Sequence, residues 1–320
     1  MAQNAAGCDI DAEQHASHSD AIEIPNGKWH PSFCSEDADI ILCSNDNTLF
    51  RVHSHILKLA SGWFRGMFTL PQGSPASAGP DIISLGENED VIAGLLKMIS
   101  AMESPALHSI DLVESILLAA EKYDMPGPVS IIRIALSSSF LEASPVRLYG
   151  IAYRRGWMRE AKLASSRTLT LNLCDPVVAA ELSAVDSTAV VQLILLHRRR
   201  KDVLKAFLDD AANFAANRTT VCMNCGSHVG NGQWLALKYS WVARMDYKPF
   251  GVALEATDLE CEELRAVLEA QCVDCAGFLY EAATTNRNLR IAIAALPQVV
   301  EVCFSTISQL SNFNIDGTGM

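Results

Sequence analysis

Two cysteine pairs carry the clearest chemistry in this sequence: Cys222-Met223-Asn224-Cys225-Gly226 and Cys272-Val273-Asp274-Cys275. Four thiolates match tetrahedral Zn²⁺, with bonds of about 2.3 Å. Two residues between ligands let a knuckle turn aim both sulfurs at one ion. Gly226 allows the left-handed backbone that such a turn favours. Cys222, Cys225, Cys272 and Cys275 are the expected ligands, and Zn²⁺ is the expected cofactor. Four cysteines close the coordination shell, so the ion would be structural rather than catalytic. Three alternatives stand beside this reading. His228 could replace a cysteine through the C-x-x-C-x-x-H spacing, Cys261 is a spare thiol, and the thiols could be buried without metal. A redox dithiol fits less well, because no strand–helix context of thioredoxin type precedes either pair.

The elements that position these pairs follow from the spacing. The chain from Cys225 to Cys272 is longer than a compact zinc ribbon needs, so an inserted subdomain must bring the pairs together. Trp234, Trp241 and a helix over residues 259–270 are the available packing material. Other reactive residue types are scattered. Asp39 and His53 read as a strand-end polar pair, hydrogen-bonded within the fold, with no nucleophile beside them. Arg147, Arg154, Arg155, Arg159, Lys162 and Arg167 form a basic segment, and His197-Arg198-Arg199-Arg200-Lys201 a second. Both read as solvated helix faces diluted by nearby acids, with a surface for an acidic partner, nucleic acid or nuclear import as the other reading. Glu262 and Glu263 are adjacent on a helix and do not face one another. The sequence has no H-E-x-x-H, no phosphate-binding glycine loop and no G-x-S-x-G, so no enzyme is expected.

Composition narrows the class. Of 320 residues, 49% are apolar and 19% charged, enough apolar material for real cores and against a wholly disordered chain. The length favours two domains. The net charge of −12 argues against nucleic-acid binding through overall charge. The first residues lack a basic and apolar signal pattern, and no apolar run is long enough for a membrane span. The ten cysteines then read as thiols or metal ligands in the cytoplasm or nucleus.

Along the chain, residues 1–32 are polar, without hydrophobic period, and read as a mobile tail. Ala38 to Cys43, the turn cluster Ser44-Asn45-Asp46-Asn47, and Thr48 to Val52 read as a β-hairpin. Helical spacing runs from Ile56 to Phe68, with Gly62 marking a break between two short helices. Residues 71–80 read as a loop and 81–85 as a third strand. Helices are expected over 91–102, 110–123 and 129–141, with Pro126 and Pro128 between the last two. More follow from Pro145, at 157–164, from Pro176, over 187–214, and over 288–310 with a break at Pro297. No fixed-period repeat is visible.

The first domain resembles a BTB/POZ domain. The resemblance rests on Asp39-Ile40-Ile41-Leu42, Phe50-Arg51-Val52-His53, Ile56-Leu57, Ser61-Gly62-Trp63-Phe64 and Met67-Phe68, in order and at fitting spacing, over about residues 34–140. Met67 to Gln72 and Arg147 to Ala152 are similar to the large fungal branch of that family. Two positions depart from family patterns. Ser54 stands after His53, where members with a charged dimer pocket carry a basic residue. The stretch 69–79 has no Glu, where cullin-binding members often carry one.

The expected fold is α+β. A BTB/POZ-like domain over 33–142 has a small β-sheet capped by helices, with Ile41, Leu49, Val52, Leu57, Phe64 and Phe68 in its core. A helical extension over 143–215 follows, then a zinc-stabilised subdomain with C-terminal helices over 216–320. Asp39, His53, Ser61, Trp63, Phe64, Met67 and Phe68 are the motif residues of the interaction module. The resemblance implies a non-enzymatic scaffold or adaptor that binds protein partners and forms a homo-oligomer, with no membrane partner. It also implies two alternatives: a substrate adaptor of a cullin-type ubiquitin ligase, or a transcriptional regulator.

Overall fold

The computed structural model describes residues 27–70, 81–100, 102–214, 221–249 and 261–301. The chain divides into two compact units, one ending at Ser138 and the other beginning at Ser139. The architecture is α+β: a small mixed sheet near the N-terminus, then mostly helices.

The first unit is built on the expected hairpin. Strands β2 (Ile40–Cys43) and β3 (Thr48–Val52) pair antiparallel, with Ile40 opposite Val52 and Cys43 opposite Leu49. The turn works because Asn47 takes a positive φ of 63° and the Ser44 hydroxyl accepts from the Thr48 amide at 2.9 Å. All four residues of β2 are buried, so both faces of the sheet are covered. Strand β4 (Asp81–Ser84) adds to β2 in parallel. A strand absent from the sequence reading, β1 (Lys28–Trp29), adds to β3 in parallel, giving the order β1-β3-β2-β4. Residues 28–32, expected in the tail, therefore belong to the sheet region. His30 is buried and stacks on Phe50 at 5.0 Å. Residues 1–26 of the expected tail lie outside the described residues.

Helices α1 (Ser54–Ala60) and α2 (Gly62–Met67) meet at Ser61 and Gly62, where the sequence places a break. Ser61 is fully buried. Its hydroxyl accepts from the Phe64 amide at 3.0 Å and donates to the Tyr123 carbonyl at 2.5 Å. The partner is the end of α4 (Ile110–Lys122), which closes with a 6→1 bond from the Met125 amide to the Ala120 carbonyl and with Asp124 at φ 50°. The Gly62 amide donates to the Asp124 carbonyl at 2.9 Å, and a Cβ on Gly62 would lie 1.8 Å from an Asp124 carboxylate oxygen. Helix α3 (Glu89–Ile99) lies as close to α4, since a Cβ on Gly94 would meet Ile116 at 2.6 Å.

Helix α5 (Pro126–Ser139) corrects one expectation. Pro126 and Pro128 stand inside its first turn rather than between helices. The first turn has no intrahelical N–H partners to lose, so proline fits there. Of the expected core, Ile41, Leu49, Val52, Leu57 and Phe64 are buried, whereas Phe68 is half-buried.

The second unit is helical: α6 (Pro145–Arg154), α7 (Met158–Thr168), α8 (Pro176–Ser183), α9 (Ser187–Asp209), α10 (Gly232–Tyr247), α11 (Glu262–Leu268) and α12 (Ala282–Ala294). Helix α9 stops at Asp209 rather than Phe214. The Asp210 carboxylate accepts from the Ala212 amide at 2.8 Å, a local bond that competes with continued helix. Helix α12 starts six residues earlier than its apolar period suggested. A core of this unit holds Leu204, Leu208, Phe214, Trp234, Trp241, Leu264, Val267 and Leu289. Among the described residues no helix is long and apolar enough to cross a membrane.

Two predictions follow from close packing. Gly62→Ala must push aside the exposed Asp124 carboxylate, the end of a flexible side chain, so the cost should lie at the low end of overpacking, about 1 kcal/mol. Urea unfolding should show that loss, and Asp124→Gly should relieve it, because glycine removes the carboxylate and suits φ 50°. The second concerns His197, which is within 3.2 Å of the Thr168 hydroxyl and is held down to about 4, first by burial and then by Arg200. The unfolded chain takes up this proton near 6.5, so stability is full above that value, falls as pH drops, and is wholly lost for this group below 4. At about pH 4.5 the loss should reach roughly 2 kcal/mol relative to neutral pH, and His197→Gln should flatten that acid limb.

Candidate metal centre

The two cysteine pairs sit on one repeated piece of backbone. In the first, the Gly226 amide donates to the Cys222 carbonyl at 2.9 Å and the Cys222 amide to the Ser227 carbonyl at 2.7 Å. In the second, Ala276 donates to Cys272 at 2.9 Å and Cys272 to Gly277 at 2.9 Å. Gly226 takes φ 73°, as expected of the knuckle, and Ala276 takes φ 55° at the matching place. Each knuckle closes with an isolated antiparallel bridge, Val221 to His228 and Gln271 to Phe278. Each then feeds a helix, α10 from Gly232 and α12 from Ala282. Every one of these features recurs fifty positions on. The sequence reading found no repeat, and the reason is plain: over the two knuckle-and-helix segments the cysteines are nearly all that the halves share.

Together the halves bring four sulfurs to one place. Cys222 and Cys275 lie 3.7 Å apart, Cys225 and Cys272 3.6 Å apart, and all four Sγ atoms lie within 4.8 Å of one another. A tetrahedron with bonds of 2.3 Å has sulfur–sulfur edges of about 3.8 Å, and a disulfide needs about 2.05 Å. The cluster therefore has the dimensions of a tetrathiolate site that could hold a metal ion such as zinc. The first cysteine of each pair is buried and the second exposed. Among the described residues this is the group able to hold a metal. His228, exposed, and Cys261, half-buried against the apolar core, lie outside it.

Hydrogen bonds tune the sulfurs. The Asn224 amide donates to Cys222 Sγ at 3.4 Å. The Ser227 hydroxyl, then its amide, lowers the Cys225 thiol to about 6. Cys275 goes the other way. The Gly277 amide lowers it, but Cys225, burial and the remaining thiols prevail and push it up to about 12. Four thiolates cannot share this space without a cation, and a divalent ion at the centre resolves that conflict. The knuckles also touch directly: a Cβ on Gly277 would lie 2.3 Å from Asn224 Nδ2, in its side chain.

The far ends of the two halves are held by one side chain that the sequence reading treated as surface charge. Arg200 is 2% exposed. Its Nε donates to the Pro249 carbonyl at 2.7 Å, beyond α10, and a terminal nitrogen donates to the Pro297 carbonyl at 2.6 Å, beyond α12. Its neighbours in the basic run are paired as well: Arg198 with Asp202 at 3.1 Å, Arg199 with Glu301 at 2.7 Å, and Lys201 with Asp246 at 2.5 Å.

In the first unit the motif residues have structural partners. The Asp39 carboxylate accepts from the Ser54 amide at 2.7 Å and from its hydroxyl at 2.6 Å, at the start of α1. Burial pushes Asp39 up, but those bonds outweigh it and hold it below the ordinary carboxylate value. His53 lies 3.6 Å from Asp37, so Asp39 and His53 are not one another's hydrogen-bond partners. Trp63 is exposed and edge-on to Phe64 at 4.8 Å, and Met67 and Phe68 are half-buried. Compared with known proteins, the chain matches no protein-family model and no curated protein.

Metal analysis of the purified chain should find one divalent ion per molecule. Cys222→Ser and Cys275→Ser should each abolish it, and cobalt substitution should give a tetrahedral tetrathiolate spectrum. Ser227→Ala, which removes a partner of a ligand, should weaken metal binding by about tenfold or more without changing stoichiometry.

Proposed function

We propose that this chain is a non-enzymatic interaction scaffold, with a BTB/POZ-like module over 33–142, a helical extension over 143–215 and a zinc-stabilised subdomain over 216–320. The observation that carries this reading is the four-thiol cluster: a site of four cysteines stabilises a surface and leaves no open coordination position for substrate. The first unit adds support. Its hairpin, its Ser61-Gly62 junction and its helix pair follow the order of the resemblance. Leu118, Ile131 and Ile134 are large apolar side chains exposed on α4 and α5. Apolar surface of this kind is what self-association or partner docking covers. The expected compartment is the cytoplasm or nucleus, and the expected partners are proteins.

Native mass spectrometry of the zinc-loaded chain tests this directly. A dimer that becomes a monomer when Ile134 is changed to Asp supports the module. A strict monomer at all concentrations, with no protein captured by the isolated chain, would overturn it. Direct capture of a cullin by the first unit would instead select the ubiquitin-ligase adaptor reading.

A further inference from the structure

We propose that the cleft between the two knuckle segments is a binding site for a cationic side chain with an apolar stem, a lysine or arginine carried by a partner protein. The cleft has a volume of about 390 Å³, within the range of small-ligand sites. Its floor is aromatic: Phe214 and Trp234 lie there with ring centroids 4.5 Å apart. Leu279 and Tyr280 form a wall, and Val221 and the 87% exposed Met223 stand at the rim. Apolar stem and aromatic ring faces suit one another, and ring faces attract cations.

Among the lining residues Glu281 and Asn288 offer acceptors. The Glu281 carboxylate accepts from the Thr284 hydroxyl at 2.7 Å, and among the described residues no cation pairs with it. The Asn288 amide nitrogen is committed to the Asn213 carbonyl at 2.6 Å, which leaves its oxygen as the available group. A carboxylate and an amide oxygen lining a mostly apolar cleft call for a donor-rich, positively charged head. An ammonium or a guanidinium meets that need, and a neutral alcohol does not.

The metal centre fixes this site. Val221 and Met223 belong to the first knuckle, Leu279 to Glu281 follow the second, and Cys222 both lines the cleft and joins the metal cluster. Removing the ion would release one wall from the other, so ligand binding in the cleft is expected to depend on the metal. This inference deepens the scaffold reading by naming what the second unit docks, and its test makes no use of the first unit.

The test is ligand-observed NMR with the full zinc-loaded chain and three probes of similar length: n-pentylammonium, n-butylguanidinium and n-pentanol. The two cations should bind at least tenfold more tightly than the alcohol. Glu281→Gln, which keeps a partner for Thr284, should remove that preference while metal content and helicity stay unchanged. Chelation should abolish binding of all three. Equal binding of cation and alcohol, cation affinity unmoved by Glu281→Gln, or no binding of any probe would each overturn the proposal. Self-association measured on the same sample is a separate readout, so failure here leaves the scaffold reading standing.

Discussion

Four sulfur atoms that must share a single point are the constraint around which the second unit is organised. Ionised together, they repel. Protonated, they hold nothing. A cation at the centre would let the ionised crossed pairs, Cys222 with Cys275 and Cys225 with Cys272, keep their separations of 3.7 and 3.6 Å. Everything nearby serves that geometry. Positive-φ residues turn each knuckle, main-chain amides point at sulfur and carbonyl, and a glycine clears space for the facing knuckle. The core of Trp234, Trp241, Leu264 and Val267 packs α10 against α11. At the opposite end a guanidinium on α9 holds the carbonyls that follow α10 and α12. Burial lowers Arg200 only to about 10, so it stays charged at neutral pH and the bonds are charge-assisted.

The first unit solves a different problem with different means. A small sheet cannot stand alone, and its helices must close over it. The junction of Ser61, Gly62, Tyr123 and Asp124 does this through main-chain bonds rather than bulk. A serine hydroxyl spans two helices, and a glycine admits a carboxylate that any larger residue would displace. The Tyr123 hydroxyl and Lys122 then share Glu87, which ties the same helix end to the start of α3. Burial pushes Glu87 up, but those two partners prevail and keep it ionised.

Much of this was legible in the residues, and the failures have physical causes. The cysteine spacings, Gly226 and the hairpin turn announce themselves because each demands a rare backbone or a rare residue type. Strand β1 did not, because two residues carry no period. The repeated half-units were invisible because equal backbones are packed with unequal side chains: Trp234 and Leu237 on α10, Thr285 and Leu289 on α12. Arg200 looked like its charged neighbours, and only the carbonyls of two distant prolines distinguish it. Pro126 and Pro128 misled by type, since proline breaks a helix interior but opens a helix. The cleft beside the cysteines draws on Phe214, Trp234, Tyr280 and Glu281, which no local motif connects.

The repeated knuckle has a consequence for how the chain comes to be loaded. Each half supplies two ligands, and two thiolates do not satisfy an ion that takes four. The half bearing Cys222 and Cys225 leaves the ribosome well before Cys272 and Cys275. If the cluster takes a metal, during that interval it would be a chelator with half a shell, equally able to finish it with the same half of a neighbouring nascent chain. Maturation of a metal-loaded chain would then be a race between synthesis of the second half and encounter with another chain, and the faster the later half follows, the fewer molecules would be cross-linked through metal.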